Sequence, residues 1–316
     1  MKHVKGSVFL LIAAFIWGTA FVAQTSAADS IKPFTFNTAR SLVGAAFLAV
    51  LIGPRELMRR RKSGENGTLS EEDRKRKRRR LLQGGALCGV VLFFAMNFQQ
   101  MGISIYPEEA AASGRAGFLT ATYVVMVALC ARFTGKKLHP MVAVATLVCV
   151  GGMYLLCMGG GLSGIYMGDV LELICAVCFT AHILVIDHFS DVESMKLCCG
   201  QFLVAGIMSA IAAFLTESPD MGLLWNAWFP IFYVGVMSSG IAYTLQMVGQ
   251  KYAPPTVACI VMSLESVFAA LAGWVILTER LSFRELIGCI LVFGAVILAQ
   301  VPQFLHKSEQ APQRTS

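Results

Sequence analysis

The chain has 316 residues, of which 56% are hydrophobic and 14% are charged, and its mean hydropathy is +0.66. Soluble globular domains carry about 25% charged residues, so this composition argues against a soluble protein and predicts an integral membrane protein. A hydrocarbon core of ~30 Å needs about 20 apolar residues for each helical crossing.

Ten apolar segments of about that length follow one another, and each is predicted to be a membrane-spanning helix. Their predicted bounds are 7–25, 34–53, 81–103, 109–132, 139–158, 167–187, 195–216, 227–249, 254–277 and 283–302. The first segment resembles a signal peptide, because Lys2 and Lys5 precede it and Ser26-Ala27-Ala28 follows it. We favour a membrane helix, because the apolar run is long for a signal peptide and its cleavage would leave an odd number of helices.

The basic residues predict the orientation of these helices. The link between the second and third segments, residues 54–80, contains twelve Lys or Arg residues, and positively charged links stay in the cytoplasm. Strict alternation then places both termini in the cytoplasm, with 21 of the 26 basic residues on that side and three (Lys32, Arg280 and Arg284) outside. The net charge of +7 therefore reflects topology and gives no support to nucleic-acid binding, while the basic flanks of the link are expected near anionic lipid headgroups.

The ten cysteines all lie in apolar segments, where a free thiol behaves as a small hydrophobic group. Cys175 and Cys178 have a C-x-x-C spacing within one helix, but no second pair follows at the spacing of a zinc site. We therefore expect neither a metal site nor a cofactor.

The two halves of the chain resemble each other. One constant offset places Glu279-Arg280-Leu281 on Lys136-Lys137-Leu138 and Glu265 on Thr122. The sequence thus predicts two five-helix repeats, residues 1–158 (with the basic loop 54–80) and 159–302, followed by a cytoplasmic tail, 303–316. Because five is odd, the second repeat must be inverted in the membrane, an arrangement typical of transporters that work by alternating access.

The chain also resembles the drug/metabolite transporter superfamily, in its EamA-domain branch. The motifs are Trp17-Gly18, Gly117-Phe118-Leu119-Thr120, and Ser263-Leu264-Glu265 followed by Leu281 and Gly288. The resemblance implies two EamA repeats around a central cavity and, most often, efflux of small metabolites. Proline usually follows the glutamate in this family, whereas Ser266 follows it here, so a proline hinge is not expected at that point.

Glu265 is the first candidate for a functional residue. It lies about eleven residues into the ninth segment, a depth of roughly 16 Å, where a charge is costly unless it has a partner, a water-filled cavity or a function. One interpretation is a carboxylate that faces the cavity and binds a proton or a cationic group. The other is a protonated or paired carboxyl group that joins two helices.

Three more charged residues lie inside the predicted helices near their outer ends. Arg40 and Arg115 each lie about six residues from the end of a segment, and Glu172 lies at a similar depth. An ion pair between Glu172 and one of the arginines is one interpretation, and a site for an anionic substrate is the other. His182 is either a hydrogen-bonded packing residue or a proton carrier.

Neutral polar and aromatic side chains complete the set of candidates. Asn97, Tyr123, Tyr243 and Gln246 can hydrogen-bond either a ligand or a neighbouring helix. Trp17 can line the cavity or simply pack in the core.

Taken together, the sequence predicts a multi-pass transporter of the plasma or inner membrane that exports a small metabolite or drug-like compound, and Glu265 is a candidate for proton coupling. A passive channel or facilitator is the alternative, because it would use the same helices. No clustered catalytic residues suggest a membrane enzyme.

Overall fold

The computed structural model describes residues 2–28, 30–63, 70–106, 112–133, 139–157, 166–276 and 283–309. These residues form helices joined by short turns, with no strand among them. The helices are α1 (Lys2–Ala28), α2 (Pro33–Ser63), α3 (Glu71–Ile105), α4 (Ala112–Ala121), α5 (Tyr123–Phe133), α6 (Pro140–Cys157), α7 (Met167–His188), α8 (Ser194–Thr216), α9 (Met221–Asn226), α10 (Trp228–Tyr233), a π-helix (Val234–Ala242), α11 (Tyr243–Gln250), α12 (Pro255–Met262), α13 (Leu264–Ile276) and α14 (Phe283–Glu309).

Six helical segments of the described chain are long and apolar enough to cross a membrane. They are Lys5–Ala28, Pro33–Met58, Glu71–Ile105, Met167–His188, Ser194–Thr216 and Trp228–Gln250. Four shorter apolar helices lie at Leu119–Ala131, Pro140–Leu155, Pro255–Ala269 and Leu286–Ala299. Each of these helices overlaps one of the predicted segments, and the prediction of an all-helical, multi-pass membrane protein is confirmed.

The basic link at 54–80 is not a loop along its whole length, which corrects the sequence-based prediction. Helix α2 continues to Ser63, and α3 begins at Glu71. Ser70 caps α3, because its hydroxyl oxygen accepts a 3.1 Å hydrogen bond from the backbone N–H of Asp73. Acidic residues in the first turn of α3 complement the helix dipole, so the helix can begin well before the apolar segment.

Helices distant in sequence pack against each other most extensively. The largest contacts join α6 with α14, α3 with α7, α2 with α8, α3 with α8 and α1 with α13. Glu217, which follows α8, adds a polar connection, because its carboxylate accepts hydrogen bonds from the backbone N–H groups of Phe34 (2.9 Å) and Thr35 (2.8 Å) in the first turn of α2. The first and second halves of the chain are therefore tightly interleaved.

Two helical spans are interrupted by a single residue. Thr122 separates α4 from α5, and Ser263 separates α12 from α13. Each hydroxyl donates to the carbonyl oxygen three residues earlier, Thr122 to Leu119 at 2.5 Å and Ser263 to Ile260 at 2.7 Å. Such local bonds compete with the helical hydrogen-bond ladder, so the interruption near Glu265 forms without a proline.

Helices α1 and α13 approach each other closely at Gly18. A Cβ atom added to Gly18 would lie 2.5 Å from the Cβ of Phe268 and 2.8 Å from the carbonyl oxygen of Glu265. Only a glycine therefore fits at this crossing. It brings the neighbouring residue Trp17 to the same part of the bundle as Glu265.

Candidate functional site

A cavity lies inside the helix bundle, between residues from both halves of the chain. Its free volume in this conformation is about 50 Å³. Its walls combine aromatic, amide, hydroxyl and charged side chains. The lining residues are Trp17, Phe21, Gln24, Arg40, Gln99, Thr120, Tyr123, Phe179, Ile183, Ser238, Tyr243, Gln246, Met262 and Glu265.

Arg40 provides a positive charge in the cavity wall. Its side chain is 4% exposed, and its Nη1 donates a 2.7 Å hydrogen bond to Oε1 of Gln24 on α1. The guanidinium carbon lies 5.6 Å from the centre of the Phe36 ring. Within the described part of the chain, Nε has no hydrogen-bond partner and no carboxylate lies within ion-pair distance. This buried cation thus lacks a counter-charge among those residues.

Glu265 provides a carboxyl group in the same cavity. It is 7% exposed and lies in the first turn of α13, where the positive end of the helix dipole favours a negative charge. The hydroxyl of Tyr123 on α5 donates to its Oε1 at 3.4 Å, a long contact. The interruption at Ser263 therefore creates a helix N-terminus at the position of this carboxyl group.

Glu172 lies one hydrogen bond behind the cavity wall. Its side chain is fully buried, and its Oε2 accepts a 2.6 Å hydrogen bond from the hydroxyl of Thr120, which itself lines the cavity. Its Oε1 has no partner among the described residues. Gly102 on α3 makes room for this carboxyl group, since an added Cβ would lie 2.6 Å from Oε1.

The structure does not form the ion pair suggested for Arg40 and Glu172. Arg40 donates a hydrogen bond to Gln24, and Glu172 accepts one from the hydroxyl of Thr120 on α4. The alternative pairing of Glu172 with Arg115 lies outside the described residues, because the Arg115 side chain is not among them.

Trp17, Tyr243 and Gln246 also border the cavity. The rings of Trp17 and Tyr243 meet edge to face, with centroids 4.9 Å apart. Nε1 of Trp17 and Oε1 of Gln246 are buried and have no hydrogen-bond partner within the described chain. A donor and an acceptor are therefore available at the wall for a ligand.

Two other candidates join helices instead of lining the cavity. The side-chain oxygen of Asn97 accepts from Asn37 at 2.9 Å, and its amide nitrogen donates to Ser209 at 3.0 Å, which connects α3 with α2 and α8. His182 is fully buried, and its Nε2 donates to Oε1 of Gln201 on α8 at 2.9 Å. For both residues the structure favours the packing interpretation.

Several cavity residues were absent from the predicted site. They are Phe21, Gln24, Thr120, Phe179, Ile183, Ser238 and Met262. The amide of Gln24 inside the first apolar segment was an available signal, since a polar side chain within a span needs a partner. The aromatic and aliphatic residues gave no such signal, because apolar side chains fill every span.

The side chains around the cavity suit the binding of a polar ligand. No group of three or more potential metal ligands occurs in the described residues. One cation, one carboxyl group and several neutral hydrogen-bonding groups surround a space for a small molecule.

Comparisons with known proteins give a consistent picture. The model of the EamA-like transporter family matches residues 4–158 and 166–300. An uncharacterized transporter from Archaeoglobus fulgidus is 28% identical over 95% of this chain and 87% of its own length. The uncharacterized transporter YoaV from Bacillus subtilis is 19% identical over 93% of this chain and 96% of its own. A solved crystal structure superposes with a TM-score of 0.74 at 19% identity, over 94% of this chain and 98% of that one, a likeness of fold.

Proposed function

The chain belongs to the EamA-like transporter family, and from that premise we propose that it carries a small organic anion across the membrane by alternating access. The substrate binds in the cavity described above, with its anionic group on Arg40. Export from the cytoplasm is the direction that the family resemblance implies.

Ten spans in two inverted repeats are part of this proposal. The family model matches twice, at residues 4–158 and 166–300. Six long and four shorter apolar helices occur in the described residues. The interruptions at Thr122 and Ser263 fall in corresponding spans and use the same side-chain bond. Discontinuous helices near a central site are typical of inverted-repeat transporters.

Arg40 is the observation that supports an anionic substrate. A guanidinium group stays protonated in proteins, and a buried charge without a partner costs several kcal/mol. Because the described chain supplies it with an amide and a ring but no carboxylate, a ligand anion would compensate the charge.

The remaining wall suggests the rest of the substrate. Trp17, Phe21 and Tyr243 offer aromatic surface, and Gln246 offers a hydrogen-bond acceptor. Aromatic rings bind flat apolar groups well. We therefore expect a substrate with an acidic group and an apolar or aromatic body.

Glu265 borders the same cavity without forming an ion pair with Arg40. It is proposed to hold a proton. Glu265→Gln keeps the shape of the carboxylic acid but cannot titrate. If Glu265 couples export to proton entry, this variant should lose the response to an imposed pH gradient in proteoliposomes.

The protein is proposed to lie in the plasma or inner membrane with both termini in the cytoplasm. The excess of basic residues in the link at 54–80 supports this orientation. Its expected partners are the lipid bilayer and the transported molecule.

A matched set of ligands tests the substrate proposal. Benzoate, benzamide and benzylamine share one ring and carry negative, neutral and positive groups. In a thermal-shift assay on the purified full chain, benzoate should raise Tm and the other two should not. Arg40→Gln should abolish the benzoate effect, whereas Arg55→Gln, at an exposed arginine of the same helix, should retain it.

Stabilisation by benzylamine, or an equal benzoate effect in Arg40→Gln, would reject the anionic substrate. Transport is then measured in proteoliposomes. Accumulation against a gradient distinguishes a transporter from a passive facilitator, which only equilibrates the substrate.

A further inference from the structure

We propose that Glu172 is a proton-binding site linked to the cavity through the hydroxyl of Thr120, so that a proton and an anionic ligand bind cooperatively. This inference rests on the proposed function, since it assumes that the cavity binds an anion. It adds a second carboxyl group, on a different helix from Glu265, to the site.

The geometry places a single hydroxyl group between Glu172 and the cavity. Oγ1 of Thr120 lies 2.6 Å from Oε2 of Glu172, and Thr120 also lines the cavity. The amide of Gln99, another lining residue, approaches the same Oγ1 at 3.4 Å. No other described side chain is bonded to the carboxyl group of Glu172, whose Oε1 is unpartnered.

A threonine hydroxyl can donate one hydrogen bond, through its single hydrogen, and its oxygen can accept further hydrogen bonds. When Glu172 is ionised, it can only accept, so Thr120 must donate to it and presents an oxygen lone pair to the cavity. When Glu172 is protonated, it can donate to Oγ1 of Thr120. The hydroxyl hydrogen of Thr120 is then free to turn toward an anion in the cavity.

Protonation of Glu172 therefore changes the cavity wall in two ways. It removes a buried negative charge that repels an anion, and it makes one hydrogen-bond donor available to that anion. Both changes favour anion binding. By linkage, a bound anion must favour the protonated form of Glu172 to the same degree.

A second carboxyl group lies one helical turn before Glu172 on α7. Asp169 lies three residues earlier, on the same face of the helix. Its Oδ1 accepts a 2.8 Å hydrogen bond from the hydroxyl of Tyr106, and its Oδ2 accepts from the backbone N–H of Tyr166. Asp169 lies in the first turn of α7, so a second carboxyl group lies between that helix end and Glu172.

The titration of other ionisable groups on the surrounding elements must be distinguished from that of Glu172 by experiment. They are Asp169 and Cys175 on α7, Tyr106 after α3, Arg115 on α4 (whose side chain lies outside the described residues), Tyr123 on α5, Tyr243 on α11, Cys259 on α12 and, across the cavity, Arg40 and Glu265. Among the cavity-lining residues of the described chain, Glu265 is the carboxyl group whose titration would also affect an anion.

Binding of benzenesulfonate to the full chain over a pH series tests the inference. This aromatic anion stays ionised throughout, so changes in affinity report on the protein. Wild-type protein should bind it about tenfold more tightly at the low end of the pH series than at the high end. One hydrogen bond to a charged group contributes enough free energy for this ratio. In a weakly buffered solution with a pH indicator, binding should also take up protons.

Four variants distinguish the groups. Glu172→Gln should bind tightly at every pH without proton uptake, because an amide can donate to Thr120 as the acid does. Thr120→Val, which keeps the shape but removes the hydroxyl, should bind weakly and with less pH dependence, while Thr120→Ser should behave like the wild type. Glu265→Gln should retain the pH dependence that Glu172→Gln loses.

The outcomes separate this inference from the proposed function. Absence of benzenesulfonate and benzoate binding at any pH, in wild-type protein that elutes as a single species, would overturn both. Binding whose pH dependence is unchanged in Glu172→Gln, or is lost only in Glu265→Gln, would overturn the inference about Glu172 and leave the anion site intact.

Discussion

At the scale of single residues, Arg40 shows how a binding site and a stable core make opposite demands. The guanidinium is buried against Gln24 and Phe36 without a carboxylate among the described residues. Replacing buried charges with apolar side chains of similar volume is often neutral or stabilising. We therefore expect the arginine to lower stability in the absence of a ligand and to contribute binding energy in its presence.

Arg40→Met should accordingly raise the stability of the ligand-free protein, by about 1 kcal/mol or more, while it abolishes anion binding. Thermal unfolding in detergent measures the first effect. The exposed arginine of the same helix provides the control, since Arg55→Met should leave Tm within error. A lower Tm for Arg40→Met would show that the guanidinium stabilises the ligand-free fold.

Gly18 lies where α1 crosses α13, beside the cavity. Gly18→Ala should destabilise the protein by about 1–3 kcal/mol, the usual effect of overpacking a tight contact, because its Cβ would lie 2.5 Å from the Cβ of Phe268. Gly53 on α2 has no neighbour within 4 Å of an added Cβ. Gly53→Ala should therefore be neutral or slightly stabilising in the same unfolding assay, and equal effects at both sites would contradict the crossing.

The sequence was a reliable guide to single charges but not to their partners. Arg40 and Glu265 stood out because charges are rare inside apolar spans, and both line the cavity. The partner of Glu172 was not predictable, because a hydroxyl and two arginines all lay at suitable depth. The relative positions of α4 and α7 bring the hydroxyl of Thr120 to Glu172, while the pairing with Arg115 lies outside the described residues.

At the scale of elements, the backbone N–H groups at the start of α2 are hydrogen-bonded by a residue that follows another helix. Glu217, directly after α8, accepts from the backbone N–H groups of Phe34 and Thr35 and from the hydroxyl of Thr35 at 2.6 Å. These amides belong to the first turn of α2, whose N–H groups have no partner within the helix. The carboxylate therefore caps α2 and fixes it against α8.

Glu217→Ala should destabilise the protein by about 1 kcal/mol, as loss of a helix cap does, and should increase hydrogen exchange in the first turn of α2. Glu217→Gln retains an acceptor oxygen and should have a smaller effect. Unchanged exchange at Phe34 and Thr35 in the alanine variant would contradict the capping role. Thermal unfolding and exchange mass spectrometry measure both quantities.

The predicted segments overlap the observed helices because length and hydropathy are local properties of the sequence. The extension of α3 was missed because the basic run at 74–80 was interpreted only as a topology signal. Ser70 followed by Asp73 was a readable capping pattern. The interruption at Ser263 was not readable, since serine occurs in many uninterrupted helices.

At the scale of the whole molecule, the most extensive contacts join helices from the first and second halves of the chain. Helix α2 packs along α8, and α1 packs along α13. The two largest apolar clusters accordingly combine residues from both halves. Residues from both halves meet at the cavity, which is the arrangement that rocking of one half against the other requires.

The proposed orientation gives a direct prediction. Reporter fusions at Glu65, in the basic link, and at Gln303, after the last apolar segment, should both report a cytoplasmic location, because positively charged links remain inside. A fusion at Asp220, after α8, should report the opposite side. An external signal from Glu65 or Gln303 would contradict the inverted repeats.

The bond between Arg40 and Gln24 also has a consequence for how the chain is made. Membrane helices enter the bilayer in order of synthesis, and an arginine inside a span makes insertion less favourable, by up to ~2.5–3.5 kcal/mol where it lies at the helix centre. Helix α8, which covers α2, is synthesised much later, but α1 is already present. Its Gln24 can accept the guanidinium hydrogen bond as α2 arrives, so the first two helices can insert as a pair before the rest of the binding site exists.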